Sequence, residues 1–579
     1  MEPTSFRWTL RPADEAAVER IRAALNDLPA PLARALVLRG VDSFDAAKSF
    51  FRPDLRGLHD PFLMRDMDRA ADRLVAAIER HERVLVYGDY DVDGTTSTAM
   101  MTQFLRRMGA DAEFFIPNRF THGYGLCNDG FDHAVEGGFT LVVALDCGIT
   151  AVAEAAYAKG RGLDLVICDH HRPCETLPDA TAVLDPLRPD CTYPFDGLSG
   201  CGVGFKLIQA VLQRLRRPAE EAWAYLDLVA VSIASDIVPL IDENRLLMAA
   251  GLDRLCEAPR PGLAALAARA GVDLTACTSS KIVFQLGPRI NAAGRLDDAA
   301  VAVQLLLAED AEEANRCADA LESLNHARRA LDHQTREEAV TLAAAQADTG
   351  ALALVLHHAG WHPGVIGITA SRIAEHFHRP AVLLTSNGNG EAKGSARSVK
   401  GVNIHDALGR CSDLLTRYGG HAFAAGLALP IENVDALRER LSAVLAETIA
   451  SADALAPELE LDSHLDLGDV TGRFWRVLQQ FHPFGPENPR PLFWGRDLRV
   501  VGAPGTAGDG QHLRLRVAQR DGGVPFSVIG FGLGHKLETT LMSARRGRPL
   551  ELAFTVEENT WNGRTSLQLR ASDVRLQEN

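Results

Sequence analysis

The sequence predicts an α/β protein: a parallel-sheet domain and a second α/β domain joined by a long helix, with a small β-barrel at the C-terminal end. Three observations lead there. Between Val84 and about Leu307, short apolar runs alternate with helix-patterned segments, the βαβ signature of a parallel sheet covered on both faces. Residues 309–346 form one Ala-rich, polar helical pattern without Gly or Pro, too long for an ordinary core helix. Beyond about Leu459, alternating strands such as 513–517 and 567–569 are separated by Gly508-Asp509-Gly510 and Asp521-Gly522-Gly523, which suggests a small barrel.

In chain order, residues 1–80 read as a lead-in with helical spacing over 68–82. Residues 81–308 form the first domain. Its apolar runs 84–88, 141–145 and 165–168 are continuous, as in strands buried on both faces. The apolar run 228–234 has the same character. Helices are expected over 96–108, 151–159 and 205–215. The run Gly200-Cys201-Gly202-Val203-Gly204-Phe205-Lys206 fits neither a P-loop nor a dinucleotide fingerprint and reads as a tight turn before the last of these. Residues 309–347 form the long helix. The second α/β domain, 348–455, has strands 351–356 and 381–384, a hairpin turn at Asn387-Gly388-Asn389-Gly390 and a helix over 434–447. Residues 456–579 form the barrel.

Composition narrows the class. A chain of 579 residues can hold several cores. Its net charge of −16 argues mildly against nonspecific coating of nucleic acid but leaves a nuclease open. Its basic residues are nearly all arginine, which suits bidentate phosphate contacts, with genomic bias an equal explanation. No apolar run is long enough to span a bilayer and no signal pattern precedes residue 12, so a cytoplasmic protein is expected. The ten cysteines are scattered without a C-x-x-C pair, which suggests neither a zinc ribbon nor a disulfide framework. Cys147 and Cys168 are expected to be small core fillers.

The chemistry gathers at the strand ends. Residues 84–88 run into Asp89-Tyr90-Asp91-Val92-Asp93-Gly94, 141–145 into Asp146-Cys147-Gly148, and 165–168 into Asp169-His170-His171. Asp236 follows the run 228–234. Open α/β sheets place sites at the carboxyl ends of their strands. Alternate residues of an extended chain share a face, so Asp89, Asp91 and Asp93 can point together. Alone, that triplet could equally be a solvated acidic turn or a helix N-cap. Carboxylates and imidazoles from several strands repel one another unless a cation lies among them, which implies a metal site, with two metals. The mixture of His and Asp suits Mn²⁺, Zn²⁺ or Mg²⁺, and the excess of oxygen favours Mn²⁺ or Mg²⁺.

Asp169-His170-His171 matches the signature of the DHH phosphoesterase superfamily. In order along the chain come GDYDVDGTTS (88–97), IPNR (116–119), GYGL (123–126), DCG (146–148), ASDIVPL (234–240), GPRINAAGRLDD (287–298), WHPGVIGITASRI (361–373), KGSARS (393–398) and GGHAFAAG (419–426). With these motifs the chain resembles, nearly end to end, the RecJ-type exonucleases, which act 5′→3′ on single-stranded DNA. The resemblance implies a DHH catalytic domain, a DHHA1 domain and a C-terminal OB-type β-barrel introduced by the loop Gly485-Pro486-Glu487-Asn488-Pro489.

It also implies two divalent metal ions, Mn²⁺ or Mg²⁺, bridged by Asp146. One would take ligands from the Asp89/Asp91 side, the other from Asp93, His170 and Asp236. Asp89 stands where many superfamily members have His. Asp146, Asp169 and His171 would be the catalytic set, with His171 touching the scissile phosphate. Asp227 would support the metal ligands or cap a buried helix. Arg119, Arg289, Ser395 and Arg397 would hold the 5′-terminal phosphate, and Gly420 and His421 would approach phosphate closely. Asn291, Arg295 and Arg372 belong to matching motifs, with Asn291 expected to contact substrate. Trp361 and His362 are candidates to stack on a base, with core packing the alternative for Trp361. Phe526, Phe531 and Trp561 are stacking candidates on the barrel, packing inside it being the ordinary alternative. The expected reaction is two-metal hydrolysis releasing 5′-mononucleotides, in DNA repair and recombination. It would be carried out by a monomer beside a single-strand-binding protein and a RecQ-type helicase, with no membrane partner. The alternatives are a DHH-type phosphodiesterase acting on short oligonucleotides, cyclic dinucleotides or polyphosphate, and a catalytically dead scaffold, which should have lost metal acids.

Overall fold

The apolar runs of the first domain become a sheet because each is buried on both faces. In the computed structural model, which describes residues 6–386, 388–447, 449, 455–561 and 563–577, five strands lie in the order Asp111–Phe115, Arg83–Gly88, Leu141–Leu145, Asp164–Cys168, Ala182–Leu184. Every pairing is parallel. The chain enters at Arg83–Gly88, steps out to the edge strand Asp111–Phe115, then crosses back to Leu141–Leu145. That reversal is a topological switch point, and the crevice beyond the carboxyl ends there is where doubly wound sheets bind ligands. Asp89 and Asp146 follow the two strands that flank it.

One expected strand is a helix. Leu226–Ser235 is α-helical and its residues from Leu226 to Ala234 are all buried. A segment surrounded by core on every side carries no amphipathic stripe, so its pattern alone does not separate helix from strand. A second correction concerns the glycine run. Gly200–Arg214 is one helix, and Gly200-Cys201-Gly202 is its first turn, capped by the Ser199 hydroxyl accepting the Gly202 N–H at 3.1 Å.

The long helix spans Ala311–Asp348, 38 residues, N-capped by Asp310, or about 57 Å at 1.5 Å per residue. Ala314, Cys317, Ala318, Leu321, Asn325, Arg328, Asp332, Thr335, Ala339 and Ala343 are buried along it. That helical spacing makes it a packed spine rather than a free linker. Its first half lies on helices Pro261–Ala270, Gly287–Leu296 and Ala300–Leu307, its second half on Pro363–Phe377. Leu354–His357 and Ala381–Ser386 pair in parallel, and Glu391–Arg397, Ala424–Pro430 and Arg417–His421 add antiparallel strands to make a mixed five-stranded sheet. Ala381–Ser386 and Glu391–Arg397 flank the expected hairpin, of which Asn387 lies outside the described residues.

These parts form one compact unit, Pro53–Leu445 with Pro483–Glu487. The other is built from both ends of the chain: Met1–Arg52, Ala446–His482 and Asn488–Asn579. Arg7–Leu10 pairs in parallel with Glu458–Leu461, and the Trp8 indole N–H donates to Asp573 Oδ2 at 3.0 Å. The segment expected as a lead-in is thus divided between the two units. In the barrel, Phe493–Val500 pairs with Leu550–Trp561, which pairs with Arg564–Leu576, then Gly522–Gly530, then His512–Gln519. His512–Gln519 returns to Phe493–Val500, so five strands close the ring, as in an OB fold. Leu513, Leu515 and Val517 point inward while Arg514 and Arg516 are exposed. Among the described residues, no helix is long and apolar enough to cross a membrane.

Candidate active site

Each acid is placed by a local structural reason. Asp91 is the N-cap of helix Val92–Arg107, its Oδ1 accepting the Gly94 N–H at 3.0 Å. Asp93, on the first turn of that helix, is fully buried. It accepts the Gly200 N–H (2.7 Å), the Cys201 N–H (2.8 Å) and the Ser232 hydroxyl (2.7 Å), so a neighbouring helix N-terminus holds its charge. Asp146 ends Leu141–Leu145 at φ +62°. A non-glycine residue in this region marks local strain. Gly200 passes so close that a Cβ there would lie 2.7 Å from the Asp146 Cβ, which explains the glycine at the start of that helix.

The side chains converge. Ligand atoms of Asp89, Asp91 and Asp146 lie within 4.8 Å of one another, as do those of Asp93, His170 and Asp236, and those of Asp146, His170 and His171. The two ligand sets expected from the resemblance are brought together, with Asp146 adjoining both. His170 Nε2 is 3.1 Å from Asp146 Oδ1, 3.5 Å from Asp236 Oδ2 and 3.6 Å from Asp93 Oδ2. Yet His170 Nε2, Asp146 Oδ1 and Asp89 Oδ1 are buried with no hydrogen-bond partner. Burial, reinforced by the neighbouring carboxylates, pushes Asp89, Asp146 and Asp236 well above the usual carboxylate range. Unsatisfied buried oxygens facing an unsatisfied imidazole nitrogen are a donor set that divalent cations fit.

His171 is held differently. Its Nδ1 lies 2.7 Å from Asp169 Oδ1, and Asp169 also accepts the Ile149 N–H (2.8 Å), the His170 N–H (2.8 Å) and the His171 N–H (3.2 Å). Burial alone would lower the His171 pKa, but the Asp169 carboxylate outweighs it and raises the pKa to about 9. Cys147 and Cys168 are fully buried, and burial raises their thiol pKa values. They are core fillers.

Beside the acids lies a cavity of about 670 Å³ between the two α/β domains, lined by Tyr90, Arg119, Arg295, Lys393, Ser395, Arg397, Arg417, Tyr418 and Gly419 among others. Arg397 donates to the Ser395 hydroxyl at 2.7 Å. Burial, with Arg119 and Arg328 nearby, lowers the Arg295 pKa to about 10, and burial lowers that of Arg397. Among the lining residues the only charged groups are these cations, so the cavity favours an anion.

Several expected contacts lie elsewhere. Arg289 is paired with Glu322 (2.5 Å) and donates to the Gln285 carbonyl (2.6 Å); the long helix supplies the acid that draws it away. Arg372 is paired with Asp332 at 2.6 Å. Asn291 Oδ1 accepts the Val92 N–H at 3.1 Å and so supports the acidic loop. Asp227 is bound by Arg260 at 2.7 and 2.8 Å, a buried ion pair. Trp361 is core, its indole donating to Glu338 Oε2 at 2.7 Å. His362 caps a helix by accepting the Gly364 N–H at 3.1 Å. Gly420, at φ +138°, sits where a Cβ would lie 2.4 Å from the Ala424 carbonyl oxygen, so the hairpin's packing requires glycine there. His421 is exposed on the same strand. Neither lines the cavity, whereas Gly419 does. On the barrel, Phe526 is half-buried and Phe531 is 53% exposed with the Arg570 guanidinium 5.2 Å from its ring, so neither is a packed interior aromatic. The Trp561 side chain lies outside the described residues.

Tyr90, Tyr124, Lys393, Arg417 and Tyr418 went unmarked in the sequence. Tyr90 and Tyr124 could have been found as aromatics inside matching motifs. Arg417 and Tyr418 have no local signal beyond standing just before Gly419-Gly420-His421.

Three family models match the chain: the DHH family, N-terminal domain, over residues 83–233; the DHHA1 domain over 348–447; and the RecJ OB domain over 461–573. The single-stranded-DNA-specific exonuclease RecJ of Bacillus subtilis is 37% identical over 584 residues, covering 100% of this chain and 72% of the relative. The Escherichia coli protein of the same name is 34% identical over 573 residues, covering 95% of this chain and 96% of the relative. The crystal structure of RecJ from Thermus thermophilus in complex with Mn²⁺ matches with a TM-score of 0.82 at 32% identity, over 99% of this chain and 80% of that one. Its Mg²⁺ complex matches with a TM-score of 0.77 at 31% identity, over 99% and 79%. Given identity of this order along its whole length, and the matching motifs placed at the strand ends of one crevice, the chain belongs to the RecJ family.

Proposed function

We propose that the chain is a metal-dependent exodeoxyribonuclease that hydrolyses single-stranded DNA from its 5′ end and releases 5′-mononucleotides. The observation that carries this reading is the adjacency of two oppositely charged, unneutralised sites. Buried acids and an imidazole without partners stand at the sheet's switch point, and a cavity lined by Arg119, Arg295 and Arg397 lies beside them. A strand end with phosphates on both sides of its first nucleoside satisfies both.

Asp89, Asp91 and Asp146 would hold one divalent ion, and Asp93, His170 and Asp236, with Asp146 between, the other. Such a pair supplies Lewis acidity and an activated water for in-line displacement at phosphorus. The chain's own groups do the rest. His171, oriented through the contact of its Nδ1 with Asp169, turns its second ring nitrogen to a phosphate oxygen where negative charge grows. Asp93, fixed by two backbone N–H groups and Ser232, resists displacement as the charge shifts. Arg119, Ser395 and Arg397 bind the terminal phosphate and so set polarity. The closed barrel, with Arg514, Arg516 and Phe531 outward, offers backbone charge and stacking to the rest of the strand. Cytoplasmic action as a monomer, beside a single-strand-binding protein and a RecQ-type helicase, is the setting the family resemblance supports.

The test is Mn²⁺-dependent digestion of a long single-stranded oligonucleotide labelled at either end in separate reactions, with a matched duplex as control. Early mononucleotide release from the 5′ label, progressive shortening of the 3′-labelled strand and survival of the duplex are expected. An intact long strand alongside cleavage of a dinucleotide or polyphosphate would overturn the reading.

A further inference from the structure

One residue separates the acidic centre from the basic cavity. Tyr90 stands between Asp89 and Asp91 in the chain, yet its ring lines the cavity, with the Arg119 guanidinium 4.3 Å from its centroid. Tyr124 meets that ring edge to face, the centroids 6.3 Å apart at 76°. The Tyr124 hydroxyl lies 3.4 Å from His171 Nε2 and 3.5 Å from Nδ1. Arg119, Tyr90, Tyr124 and His171 therefore form a continuous row from the cavity to the acids. Tyr124 is 56% exposed, and Gly123 and Gly125 on either side have φ of +88° and +84°. Its position is thus set by a turn and not by core packing. A large aromatic held open over a cleft, with both neighbours engaged, is a surface prepared for a flat partner.

Two phosphates joined by a single nucleoside bring a sugar and a base with them. With one phosphate among the arginines and the next at the acids, that nucleoside must cross the Tyr124 ring. We propose that Tyr124, backed by Tyr90, seats the terminal nucleoside and thereby sets the interval of cutting at one nucleotide. This rests on the exonuclease reading above. Tyr124 acts as a positioning residue: it bears the nucleoside and steadies His171, while the bond is cut by the groups already assigned. Because every base has a stacking face, such a seat tolerates any sequence.

The test compares Tyr124→Ala and Tyr124→Phe with the unaltered protein on a 5′-phosphorylated single strand. The unaltered protein should release mononucleotides alone. Tyr124→Ala should raise KM by about 10-fold, the scale of one lost base–aromatic contact, and di- and trinucleotides should appear among its first products. Tyr124→Phe, which keeps the ring, should restore mononucleotide release. A second measurement needs no catalysis. With 2-aminopurine as the 5′-terminal base and a chelator present, binding should quench fluorescence for the unaltered protein and for Tyr124→Phe, and much less for Tyr124→Ala. Melting temperatures should agree among the three, as an exposed position requires. Mononucleotides alone from Tyr124→Ala, with unchanged KM and full quenching, would overturn the proposal while leaving the exonuclease reading intact. Failure of the unaltered protein to digest the strand at all would instead overturn that reading, and this proposal with it.

Discussion

The acidic centre and the Lys206–Glu243 pair are both buried, charged and within the same domain, yet they are built on opposite terms. Lys206 Nζ is 2.9 Å from Glu243 Oε1 and 2.6 Å from the His59 carbonyl, and Glu243 also accepts the Tyr193 hydroxyl (2.6 Å) and the His59 N–H (2.9 Å). Every charge there has a partner inside the fold. At the centre, Asp89, Asp146 and Asp236 crowd acids together, and Asp89, Asp146 and His170 leave ligand atoms bare. A buried pair that is satisfied serves the structure; a buried cluster that is not remains costly until something binds. The Asp227–Arg260 pair belongs with the first kind, the Arg119–Arg295–Arg397 cavity with the second.

The sharpest way to break that contrast is Asp146→Asn. It should lower kcat by about 10³-fold or more, on the scale of losing a major electrostatic element. In metal-free protein the same change should raise the melting temperature by about 2 °C or more, because a neutral amide there avoids the cost of burying an ionisable carboxyl among other acids. Loss of activity together with a lower metal-free melting temperature would place Asp146 among the satisfied charges instead.

Asp227→Ala tests the other side. Removing one partner of a buried pair costs about 3–5 kcal/mol, so denaturant midpoints should fall steeply while activity per folded molecule holds. A direct effect on metal affinity would return Asp227 to the support of the metal ligands.

The pH dependence follows from the raised carboxyls. The folded state holds Asp89, Asp146 and Asp236 protonated at pH values where the unfolded chain has released those protons. Their stabilising contribution is complete below the unfolded pKa, about 3.9, and is lost as pH rises through the folded values. Across the range in which those carboxyls release their protons, metal-free protein should therefore melt lower as pH rises. Saturating Mn²⁺ should flatten or reverse that slope, since a ligand that binds only the folded state stabilises it by mass action. A melting temperature insensitive to Mn²⁺ would refute the metal assignment.

Smaller effects separate the arginines. Arg397→Ala should raise KM for a 5′-phosphorylated strand by about 10–100-fold, the worth of a hydrogen bond to a charged group, with little change for a 5′-hydroxyl strand. Arg289→Ala should leave KM alone and lower stability through loss of its largely buried pair with Glu322. A KM effect at Arg289 as large as at Arg397 would erase the distinction the structure draws between them.

How much was legible depended on the range of the forces involved. Strands 84–88, 141–145 and 165–168, the long helix and the alternating barrel strands each carry their pattern within a few residues, and so does an acid placed just past a strand. Leu226–Ser235 was misread because total burial erases periodicity. Gly200 was misread because its reason is Asp146, distant in sequence. The fates of Arg289, Arg372 and Asp227 were hidden because each depends on a counter-charge 33 to 40 residues away.

By itself, then, the sequence determined the three central strands of the first sheet and the acids and histidines at their ends, because hydrophobic periodicity and strand-end chemistry are local. Only the tertiary structure decided which charges are neutralised within the fold and which are left bare for a ligand. It alone placed Tyr124 between the two bare sites, because electrostatic pairing and close approach are fixed by distance in space, and separation along the chain says little about that distance.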